Sequence, residues 1–68
     1  MENGDMIQFG YVYNGCRLNN KLAIYLGDDA IQRNDGVVIY NFKVLVVGSS
    51  APTWCDRSMY KHIRKVEA

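Results

Sequence analysis

Apolar and polar positions alternate in short runs separated by turn-forming pairs. Met6 to Tyr13 (MIQFGYVY) is rich in β-branched and aromatic residues and predicts a strand closed by the tight-turn pair Asn14-Gly15. Cys16 to Lys21 reads as a polar connection, and Leu22 to Leu26 (LAIYL) as a second short strand. Gly27-Asp28-Asp29 then reads as a solvated turn. Asn34-Asp35-Gly36 marks another turn before the longest apolar segment, Val37 to Val47 (VVIYNFKVLVV). At ~3.3 Å per residue that segment would make a strand of about 36 Å, long for a small domain. A bend or tight turn near Asn41-Phe42-Lys43 is therefore expected to split it in two. Gly48 to Pro52 has loop composition.

The C-terminal segment supports two readings. Met59, Ile63 and Val66 share one helical face, with Asp56 or Ser58 available as N-cap. Alternatively, one 3₁₀ turn around Arg57 to Tyr60 leads into a strand from His62 to Val66. The second reading is preferred because it supplies a fifth strand.

Length and composition narrow the fold class. The chain has 68 residues, 49% hydrophobic and 22% charged, enough for a single domain spanning 1–68. A domain this small buries only ~60% of its unfolded surface, so nearly every apolar side chain must join one core. The expected core is Met6, Ile7, Phe9, Val12, Leu22, Ile24, Leu26, Val38, Val44, Val46 and Ile63. Short strands in so short a chain predict an all-β fold, a small five-stranded barrel that hides its edges by closure.

The order Gly4-Asp5-Met6-Ile7, Lys21 to Leu26, Val37 to Tyr40, Lys43 to Val47 and Ser58 to Ile63 resembles the small SH3-like barrels. The nearest likeness is to the KOW- or Tudor-type barrels of bacterial and bacteriophage accessory proteins. There, a Gly-Asp pair leads into the first strand and a polar stretch with a short turn precedes the last. The eukaryotic peptide-binding SH3 signature is absent, since Tyr11 and Tyr13 are present but Trp54 stands alone. The resemblance therefore does not imply recognition of proline-rich peptides.

The residue types that carry catalysis form no constellation. Zinc needs about four ligands, usually in close-spaced pairs, whereas Cys16, Cys55 and His62 are far apart with no CxxC partner. Both cysteines are expected as free thiols in a reducing compartment. His62, the only histidine, has no local nucleophile, and reads as a partly exposed residue of a basic segment. Asp28 and Asp29 are adjacent, and neighbouring residues on a strand face opposite ways, so they predict no carboxylate pair. The glycines form neither GxGxxG nor a P-loop. The expectation is a protein that is not an enzyme, with no cofactor, no metal and no small-molecule substrate.

Charge and aromatics suggest a binder instead. The net charge of +1 is the sum of −2 over residues 1–36 and +3 over residues 37–68. Arg57, Lys61, Arg64 and Lys65 cluster near Tyr60 and could track a phosphate backbone, the alternative reading of the function. A pI of about 7.8 is low for a nucleic-acid binder. Five tyrosines, two phenylalanines and one tryptophan exceed what so small a core can enclose. Tyr11, Tyr13, Tyr40, Trp54 and Tyr60 are therefore the candidate protein-binding residues, offering large contact area with a polar handle. The preferred reading is an accessory factor that binds a host protein or a second copy of itself. The longest aliphatic run is Val44 to Val47, and Met1 to Asp5 is acidic without an apolar stretch, so no membrane association and a cytoplasmic location are expected.

Overall fold

The computed structural model describes residues 1–67. The fold is small and all-β. Strands β1 (Met6–Phe9), β2 (Leu22–Gln32), β3 (Val38–Val46), β4 (Thr53–Asp56) and β5 (Ile63–Lys65) form one antiparallel sheet. Its order is β4-β3-β2-β1-β5. The ladder ends on β4 and β5, and a 3₁₀ segment, Arg57–His62, joins these two edges.

Inward-facing positions build the core by simple alternation. Ile7 and Phe9 on β1, Ala23 and Tyr25 on β2, Phe42 and Val44 on β3 and Cys55 on β4 are buried. Val12, Leu18, Val46, Met59, Tyr60 and Ile63 pack around them, half-buried. This corrects the expected core. Met6, Leu22 and Val38 are exposed, and Ile24 and Leu26 are only half-buried. In Leu22 to Leu26 both faces are apolar, so hydrophobicity alone cannot fix the parity. Pairing does: Ala23 lies opposite Ile7 and Val46, and that register turns Ala23 and Tyr25 inward.

Three segments differ from the sequence expectation. The strand from Met6 ends at Phe9 rather than Tyr13; the Gly10 amide makes the last bond toward β5, to the His62 carbonyl (2.7 Å), and residues 11–13 join no ladder. Gly27-Asp28-Asp29 is no turn; β2 runs on through it to Gln32. Val38–Val46 is one strand with no break at Asn41 to Lys43, since Phe42 and Val44 hold the alternation across that point. The bend expected there lies on the partner strand, where a bulge between Tyr25 and Gly27 shifts the β2–β3 register. With Val38–Val46 forming one strand instead of two, the count of five is completed by β4, Thr53–Asp56, which the sequence did not mark. The C-terminal segment follows the turn-plus-strand reading, with the Asp56 carboxylate accepting the Ser58 N–H (2.8 Å) as N-cap.

Gly27 takes φ +111°, and a Cβ there would meet no atom within 4 Å. The position is therefore restricted by backbone conformation and not by space. Gly27→Ala is expected to cost about 1–3 kcal/mol from backbone strain. D-alanine at the same position in a synthetic chain, at ease at positive φ, is expected to fold with no loss. Thermal midpoints of the two synthetic chains check this; equal destabilisation by both isomers would refute it.

Candidate functional site

The bulge that carries Gly27 also sets the side-chain directions beyond it. Asp28 lies opposite Phe42 on the inner face, and Asp29 opposite Asn41 on the outer face. On the inner face the Tyr25 and Tyr60 hydroxyls both donate to Asp28 Oδ1 and lie within hydrogen-bond reach of each other. Tyr60 also stacks on Phe42, with centroids 4.6 Å apart. The Tyr60–Asp28 bond thus fastens the 3₁₀ segment to the sheet, and Tyr25, on β2 with Asp28, shares the same carboxylate oxygen.

These contacts move the titrations in opposite directions. The Tyr25 hydroxyl, then that of Tyr60, holds the Asp28 carboxyl below its ordinary range. Burial, followed by the bond to Asp28, raises both Tyr25 and Tyr60 above the usual phenol range. A carboxyl with a lowered native pKa contributes stability that is complete above the unfolded value of about 4 and is lost as pH falls. A phenol with a raised native pKa contributes stability that is complete below the unfolded value of about 10 and is lost as pH rises. The urea midpoint is therefore expected to be flat between these limits and to fall on either side. Asp28→Asn flattens the acid limb without abolishing it, because Asp56 is also lowered by the Ser58 N–H. Tyr60→Phe flattens the alkaline limb. Limbs unchanged by both substitutions would contradict the assignment.

The rings of Tyr40 and Tyr60 flank Arg57, whose guanidinium carbon lies 6.0 Å and 5.5 Å from their centroids. Arg57 Nη2 lies 4.0 Å from Asp28 Oδ2, so the cation is partly balanced while more than half its side chain stays exposed. Beyond this point the inner row of β3 runs past the core. Val38 and Tyr40 share the parity of Phe42, yet they are 44% and 55% exposed because nothing covers them. They lie on the far half of the β2–β3 hairpin, where residues 28–38 are all exposed.

The five candidate aromatics do not share one surface. Tyr11 and Tyr13 lie in the β1–β2 loop and are exposed. Trp54 sits on the outer face opposite Lys43, whose Nζ lies 5.7 Å from the ring, and its Nε1 donates to Asp29 (3.4 Å). Tyr60 is half-buried and belongs to the fastening cluster rather than to a free surface. Only Tyr40 and Tyr60 meet, through Arg57.

The basic residues are also dispersed. Arg57 faces Asp28 and the tyrosines, Lys65 lies 3.8 Å from Asp5, and Arg64 donates to Gln8 Oε1 (2.9 Å) on the outer face. Arg64 and Lys65 point to opposite faces of β5. Among the described residues Lys61 alone of these four forms no ion pair or side-chain hydrogen bond, so the expected cationic stripe is not assembled.

Cys16 is half-buried and Cys55 lies in the core, and both thiols are free. Burial pushes the Cys55 thiol up to about 11. Among the described residues no three of His, Cys, Asp and Glu converge to hold a metal, and no helix is long and apolar enough to cross a membrane. Asp28 is the residue that sequence reasoning missed. Its partner Tyr60 is 32 positions away, and only the strand order brings the two together.

No family model, no curated protein and no solved structure matches this chain.

Proposed function

We propose that this protein is a small, non-enzymatic, SH3-like binding module of the bacterial or bacteriophage accessory type, and that it engages a protein partner through Tyr40, Arg57 and Val38. The observation that carries this reading is the inner row of β3, which continues past the core uncovered and ends beside an arginine held between two tyrosine rings. Tyrosine and arginine are enriched at the energetic centres of protein interfaces. An apolar row rimmed by charge is the composition such centres share. The strand order, with a 3₁₀ turn ahead of the last strand, supports the SH3-like part of the reading.

Dispersal of Arg57, Lys61, Arg64 and Lys65 favours a protein over a nucleic acid, whose backbone requires cations along one track. The test is titration with a labelled random-sequence oligonucleotide at ~50 mM salt, where phosphate binding is strongest. Wild type and the charge-reversed Lys61→Glu/Arg64→Glu chain are expected to behave alike, without saturable binding. Saturable binding by wild type that the double substitution abolishes would overturn the protein-binding reading in favour of the nucleic-acid one.

A further inference from the structure

A concave surface that includes none of Val38, Tyr40 and Arg57 lies between the β1–β2 loop and the β3–β4 connection. Its volume is about 760 Å³, within the range of sites that bury a substantial ligand. Leu18, Val46 and Met59 form its floor, half-buried against the core. Tyr13, Arg17 and Lys21 stand at its rim and are exposed.

The charge of that rim is unbalanced. Elsewhere Arg33, Arg57 and Lys65 face carboxylates, Arg64 bonds Gln8, and Lys43 lies over Trp54, which leaves Lys61 as the one unpaired cation away from the rim among the described residues. Arg17 and Lys21 form no ion pair among the described residues, and none of the residues lining the groove is acidic. One concavity thus combines an apolar floor with two uncompensated cations.

The wall that carries these cations is held by its own hydrogen bonds. Asn19 Oδ1 accepts the Val12 N–H (2.7 Å), and Asn19 Nδ2 donates to the Tyr13 carbonyl (2.8 Å). The Cys16 amide donates to the same carbonyl (3.0 Å), across a turn whose Gly15 has φ +86°. Lys21 donates its amide to Leu18 (3.1 Å). A loop fixed in this way loses little further freedom when a ligand settles against it.

We infer that this groove docks an extended acidic segment of a partner protein, with apolar side chains on the Leu18–Val46–Met59 floor and carboxylates facing Arg17 and Lys21. The occupant is argued from charge complementarity: apolar contact provides the burial, and the two cations select the sign of the flanking charge. The site is separate from the Tyr40–Arg57 surface and stands or falls independently of it.

The probes are labelled octapeptides, about 26 Å long when extended. In one, leucine and phenylalanine lie between aspartates; in the second the aspartates are lysines; in the third serines replace the leucine and phenylalanine. Fluorescence anisotropy is expected to show saturable binding of the first, with the other two at least roughly tenfold weaker. The Arg17→Glu/Lys21→Glu chain, shown to be folded by circular dichroism, is expected to reverse the preference and take the lysine peptide over the aspartate peptide. The Tyr40→Ala/Arg57→Ala chain is expected to bind the aspartate peptide as wild type does, which separates this site from the surface proposed above. Equal binding of the aspartate and lysine peptides, unchanged binding by the Arg17→Glu/Lys21→Glu chain, or no saturation by ~1 mM, the weak end of specific affinity, would overturn the inference.

Discussion

Phe42→Ala is expected to leave most of the chain unfolded at 25 °C. Phe42 is fully buried in the core, stacked on Tyr60 at 4.6 Å and tilted against Tyr25 at 6.1 Å. Truncating a buried phenylalanine costs about 3–5 kcal/mol, from lost transfer energy and from the cavity left behind. A core of this size rarely supplies more than about 3–5 kcal/mol in total, so the substitution removes nearly all of it. Trp54→Ala is the control. Trp54 neighbours Cys55, the direct β4 partner of Phe42, but points outward and is half-exposed. Its loss is expected to cost less than about 1 kcal/mol, as is usual for surface positions. Urea unfolding followed by circular dichroism checks both. A cooperative transition in Phe42→Ala, with a loss below about 1.5 kcal/mol, would place the core elsewhere.

The second large effect concerns a residue that sequence composition assigns to binding. Tyr60→Ala is expected to cost about 2–4 kcal/mol of folding stability, since it removes a half-buried ring from Phe42 and a hydroxyl from Asp28. Tyr60→Phe keeps the ring and loses one hydrogen bond, about 1 kcal/mol, or roughly 4–8 °C in Tm for a domain of this size. The ratio between the two variants separates packing from hydrogen bonding. An alanine scan of binding would therefore register Tyr60 as important because the fold loosens. A Tyr60→Ala chain as stable as wild type, measured by thermal unfolding, would instead return Tyr60 to the free surface.

Local chemistry was legible in the sequence wherever it decides the structure alone. Asp56, one of the two N-cap candidates, does cap the 3₁₀ segment through the Ser58 N–H, and Gly48 to Pro52, a loop by composition, carries no strand. Parity was illegible in Leu22-Ala23-Ile24-Tyr25-Leu26, where every residue is apolar and the smaller Ala23 goes inside because β1 and β3 lie on either side. Thr53–Asp56 is four residues long, too short for periodicity to mark it as a strand. The role of Asp28 depended on two long-range facts, the bulge that turns it inward and the strand order that brings Tyr60 to it. Likewise the basic residues near the C-terminus are adjacent in sequence, but the alternation of β5 sends Arg64 and Lys65 to different faces.

Affinity capture from a lysate of the source cell, with and without nuclease, tests whether the uncovered β3 row beside Arg57 contacts a protein. The baits are wild type, Tyr40→Ala/Arg57→Ala and Lys61→Glu/Arg64→Glu, each shown to be folded. The predicted result is a partner protein retained after nuclease treatment, lost with Tyr40→Ala/Arg57→Ala and kept with Lys61→Glu/Arg64→Glu. Release of all captured material by nuclease, or capture that survives Tyr40→Ala/Arg57→Ala and fails with Lys61→Glu/Arg64→Glu, would contradict it.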